Sequence, residues 1–60
     1  MKQLVVYNHK SDEIGVRIGE KIYEHEGRFY FWNHVVKHPC ETNYLNLEDF
    51  NNDYIILGWL

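Results

Sequence analysis

The sequence predicts a small, mainly β domain at the border of α+β: one antiparallel sheet or partly open barrel of three to four strands, with a short helix before the last strand. Three observations carry the prediction. β-forming residues run together at Leu4, Val5, Val6 and Tyr7; apolar and polar residues alternate from position 13 onward; and helix signals are confined to positions 46–50.

Residues 2–8 read as the first strand, because the unbroken apolar run from Leu4 to Tyr7 suits a strand covered on both faces. Residues 9–12 are polar and make a turn. Beyond it Ile14, Val16, Ile18 and Ile22 share one parity while Glu13, Arg17 and Lys21 share the other, which is the pattern of a half-buried strand. A two-residue turn at Gly19-Glu20 would set Ile18 opposite Lys21 and Arg17 opposite Ile22, mixing charge with core on both faces. Residues 13–24 are therefore expected to form one long strand, bent or bulged near Gly19.

The hairpin is placed at His25-Glu26-Gly27, a three-residue loop with Gly27 in its left-handed position. That loop pairs Glu24 with Arg28. It sets Ile22 opposite Tyr30, Glu20 opposite Trp32, Ile18 opposite His34 and Val16 opposite Val36 on a core face. On the other face Tyr23 meets Phe29, Lys21 meets Phe31 and Arg17 meets Val35. Pro39 is expected to end this strand by removing a ladder donor. Asn46 is placed as the N-cap of a short helix, with Glu48 and Asp49 in its first turn and Leu47 and Phe50 on one side. Residues 54–60 read as the final strand, with Ile55, Leu57 and Trp59 on one face.

Sixty residues allow a single domain, 1–60, and a core too small to be comfortable without a partner or a metal. Cys40 is the one cysteine, so no internal disulfide exists, and with no leader recognisable after Lys2 a reducing cytoplasm is expected. A mean hydropathy of −0.52 and the short apolar runs predict no membrane span. The absence of alanine beside six asparagines, five tyrosines and five isoleucines points to AT-rich coding, which suits a phage or mobile element.

His34, His38 and Cys40, with His25 nearby, are the residues that could hold zinc, although their spacing lacks the closely spaced cysteine pair of the usual fingers. In the expected register His34 points into the core while His38 and Cys40 lie beyond the strand end, so no metal and no other cofactor is assigned. A small zinc-stabilised domain remains an alternative. Cys40 and His38 are close in sequence, but nucleophilic catalysis also needs an orienting group and an oxyanion site in a cleft, so no enzyme is expected.

Ten aromatic residues are more than one small core hides. The expectation is a non-catalytic protein-binding module that modulates a host protein by occupying its surface, through Tyr23, Phe29 and Phe31 with Arg17 and Lys21 at the edge. A homo-oligomer would supply the missing core. The same aromatic and basic residues define the alternative, single-stranded nucleic-acid binding, which the net charge of −3 opposes.

Overall fold

A computed structural model describes residues 1–60. In chain order it contains β1 (Lys2–Asn8), β2 (Glu13–Ile14), β3 (Ile22–His25), β4 (Arg28–Asn33), β5 (His38–Glu41), α1 (Leu47–Phe50) and β6 (Tyr54–Trp59), with a 3₁₀ turn at Gly15–Ile18. All six strands join one antiparallel, unclosed sheet, so the mainly β class and the single short helix are as the sequence predicts. There are six strands rather than three to four because both long expected strands divide.

The first division is in residues 13–24. Tyr7 and Asn8 pair with β6 on one side and with β2 on the other, while Leu4 pairs with β6 and β3, so β2 and β3 share one edge of β1. Between those two pairings residues 15–21 leave the β1 ladder. Gly15 makes the exit possible: a Cβ there would lie 2.9 Å from Cγ2 of Val6, so only glycine lets the turn sit on that buried side chain. Gly19, at φ 82°, closes the turn by donating its N–H to the Gly15 carbonyl. Glu20 pins the excursion, accepting from Asn8 Nδ2 at 2.8 Å and from the Tyr54 hydroxyl at 3.2 Å. The alternating pattern misleads here because Val16 and Ile18 point outward from the turn, 37% and 44% exposed.

The hairpin is also one residue tighter than expected. Glu26 and Gly27 alone form the loop, at φ 51° and 79°, and His25 pairs with Arg28. Two positive φ values are the signature of a type I′ turn, whose twist matches that of the flanking strands. Glu24 does not pair with Arg28; its carboxylate accepts the Gly27 N–H at 2.8 Å, and Arg28 instead bridges to Glu41 at 2.6 Å. A slip of one residue changes every cross-strand partner. Ile22 now faces Phe31 and Glu24 faces Phe29, whereas Tyr23 faces Tyr30 and Lys21 lies beside Trp32 on the opposite face.

The second division falls after Asn33. Its side-chain oxygen accepts from the N–H groups of Val35 at 2.9 Å and Val36 at 3.2 Å, turning the chain and placing His34 in an exposed loop rather than in the core. Pro39 lies inside β5 instead of ending a strand. β5 pairs only with β4, and Trp32, opposite Pro39, donates its own N–H to Lys21, so the proline's missing donor faces solvent.

The core is the inner face of this sheet: Leu4, Val6, Ile22, Phe29 and Tyr54, capped by Phe50. Asn46 starts α1 by accepting the Asp49 N–H at 2.9 Å, and the helix drops Phe50 onto the sheet with no exposed surface. Phe50 stacks on Phe29 at 4.1 Å and on Tyr54 at 4.9 Å, while Tyr44 meets it edge-on at 5.2 Å. Leu47, expected on the same side, is 53% exposed. In β6 a bulge at Leu57 shifts the register, so Ile56 and Trp59 line up with Val6 and Leu4 on the inner face while Ile55 sits outside opposite Tyr7. The expected face of Ile55, Leu57 and Trp59 is split by that bulge.

Candidate functional site

Three regions gather side chains that could do chemistry or bind. The first is the outer sheet face. Lys21 places its Nζ 5.2 Å from the centre of the Trp32 ring, and Trp32 lies 6.4 Å from Tyr23, which pairs with Tyr30. Of the five residues expected to bind, this face brings together Tyr23 and Lys21. Arg17 stands apart on the 3₁₀ turn, and the hairpin slip moves Phe29 and Phe31 to the inner side. Phe29 is 2% exposed there; Phe31 packs edge-on against Tyr44 and Tyr54 with 37% of its surface open.

The second region is a cavity of about 400 Å³ lined by Phe31, Trp32, Asn33, Cys40, Glu41 and Tyr44, among others. Cys40 is its only thiol, and it donates to the His38 carbonyl at 3.6 Å. His38 turns its ring toward the Pro39 carbonyl, 2.7 Å away, and not toward the sulfur. His34, His38 and Cys40 do not converge, and no three His, Cys, Asp or Glu side chains are arranged to hold a metal ion.

The third region is a groove of about 400 Å³ between α1 and the sheet, at the end where β1 begins. Leu4, Phe29 and Ile56 form its apolar floor, and Leu47 and Trp59 rise on either side. Lys2, Glu24 and Asn46 supply the polar rim. The β6 bulge and the type I′ turn build this groove together, one by turning Trp59 inward and the other by bringing Phe29 under it. The Lys2 ammonium lies 4.9 Å from the centre of the Trp59 ring and holds the indole against the opening. Leu47 is 53% and Trp59 66% exposed, and Leu45, Leu60 and Met1 are also open to solvent.

Sequence reasoning missed this site because it grouped Leu47 with Phe50 and Trp59 with Ile55 and Leu57, and the fold separates both groups. The readable signal was the Glu26-Gly27 dipeptide at the hairpin, which admits the tighter turn and hence an inward Phe29.

Two tyrosine hydroxyls are perturbed, that of Tyr54 in the core and that of Tyr44 packed against it. The Tyr54 hydroxyl is pushed up to about 12, chiefly by burial and then by the neighbouring Glu20 carboxylate. Burial, and then its bond to Asp53, holds the Tyr44 hydroxyl well above the usual tyrosine range. No family model, curated protein or solved structure matches the chain, and no helix is long and apolar enough to cross a membrane.

Proposed function

We propose that the chain is a non-catalytic protein-binding module whose docking site is the groove between Leu47 and Trp59. One observation carries this reading: the domain leaves large apolar side chains standing around an apolar slot that reaches the core residues Leu4 and Phe29. Exposed Trp and Leu flanking a pocket are what an interface anchor needs, because a partner's apolar side chain inserted there sheds water from both walls at once. Both expected kinds of partner, a host protein of a phage or mobile element and a second copy, would meet the domain here.

The test is photo-crosslinking with a reactive amino acid at Leu47, and at Lys10 as a control, in cells of an AT-rich bacterial host. A discrete protein adduct from position 47 that Trp59→Ser abolishes supports the site. Adducts equal at both positions, or none at position 47, refute it.

Single-stranded nucleic acid is the second reading, favoured by the row of Lys21, Trp32, Tyr23 and Tyr30 on the outer face. Arg28 on that face is already neutralised by Glu41, and the net charge is −3. If titration of labelled oligonucleotides at low salt gives no binding at micromolar protein, this reading is removed.

A further inference from the structure

The groove has a counterpart at the other pole of the same molecule. There the β4–β5 turn lifts Val35 and Val36 into solvent, 90% and 60% exposed. Two largely exposed β-branched side chains stand at this loop tip, yet their backbone is held: Asn33 accepts both N–H groups, at 2.9 and 3.2 Å. An apolar knob already fixed in shape loses little entropy on docking. The tip also carries an unpaired positive charge. Lys37 adjoins it, and no Asp or Glu occurs from residue 27 to residue 40.

The groove end is acidic by contrast. Glu24 lies on its rim, Glu26 is in the adjoining turn and Glu48 follows Leu47, three carboxylates against the one ammonium of Lys2, since Arg28 is paired with Glu41. The six residues of β4 separate knob from groove, on the order of 20 Å in a molecule whose longest extent is 28 Å.

We infer that the groove's occupant is the Val35 and Val36 tip of a second copy, with Lys37 approaching the carboxylates of that end, so that copies join head to tail. This rests on the reading of the groove as a docking site and names its partner. The two surfaces in contact differ, so the contact is heterologous: copies add until a ring closes or continue as an open chain.

Sedimentation of three proteins tests it: the wild type, the tip variant Val35→Ser/Val36→Ser, and the groove variant Leu47→Lys, whose new ammonium repels Lys37. All three positions are more than half exposed, and circular dichroism checks that the fold persists. The wild type is expected to pass beyond a dimer as concentration rises, and each variant alone to stay at 7.3 kDa. An equal mixture of the two variants should form one-to-one pairs and nothing larger, since one retains the groove and the other the knob. A wild type fixed at 7.3 kDa, variants that assemble as it does, or a mixture that fails to pair would overturn the inference. A monomeric wild type that still crosslinks a foreign protein through position 47 overturns the head-to-tail contact and leaves the groove standing.

Discussion

Replacing Phe50 by alanine separates the two jobs of α1. Phe50 is the helix's one fully buried side chain, stacked between Phe29 and Tyr54 with Tyr44 at its edge. Truncating a buried phenylalanine costs about 3 to 5 kcal/mol, and this site belongs near the top of that range because the stacked rings cannot close the gap without separating. A chain of this length has roughly 3 to 9 kcal/mol of total stability. Phe50→Ala should therefore consume most of it. Leu47→Ala, three residues away and half-exposed, should cost less than about 1 kcal/mol. Urea unfolding followed by tryptophan fluorescence reads both. A loss below about 1.5 kcal/mol for Phe50→Ala, or equal losses for the two variants, would refute the claim that one turn of helix supplies the core's cover through a single ring.

Other outcomes follow from the same structure. Gly15→Ala should destabilise the domain by about 1 to 3 kcal/mol, read as a lower urea midpoint, because its Cβ meets buried Val6. Asn46→Ala should cost about 1 kcal/mol in the same assay by removing the acceptor for the Asp49 N–H. Tyr54 sets a high-pH limit. It titrates at about 12 in the folded state against 10.0 in the open chain, so the unfolded state loses its proton first. Tyr54's contribution to stability is fully present below about pH 10 and is lost as pH rises toward about 12, and Tyr44, raised still further, adds to the loss over the same window. Tyr54→Phe should flatten that part of the pH profile, and an unchanged slope would contradict the assignment.

Much of the fold is legible in local chemistry. The Leu4 to Tyr7 run marks β1, the Asn46 cap with Glu48 and Asp49 marks α1, and residues 54–60 mark β6. What was not legible depends on single-residue register. The parity of Ile14, Val16, Ile18 and Ile22 reads as one strand because both ends of that segment do pair with β1. The excursion between them is set by how closely Gly15 approaches Val6, a long-range fact that no local window carries. The Asn33 turn could have been read, since Asn8 ends β1 in the same way, its side chain accepting the Lys10 N–H at 2.9 Å. The groove was hidden for another reason. It exists only when the hairpin slip and the β6 bulge occur together, and each changes which face a side chain occupies.

That slip decides which face Phe29 occupies, and one spectrum addresses it. With a two-residue loop, Glu24 and Phe29 are a non-hydrogen-bonded pair whose Cα atoms lie about 4.5 Å apart, so their α-protons should give a strong cross-strand nuclear Overhauser effect, as should those of Ile22 and Phe31. Those two cross-peaks would place Phe29 beneath the groove. Cross-peaks joining Tyr23 to Phe29 instead would put Phe29 on the outer face, remove the groove's floor and contradict the account.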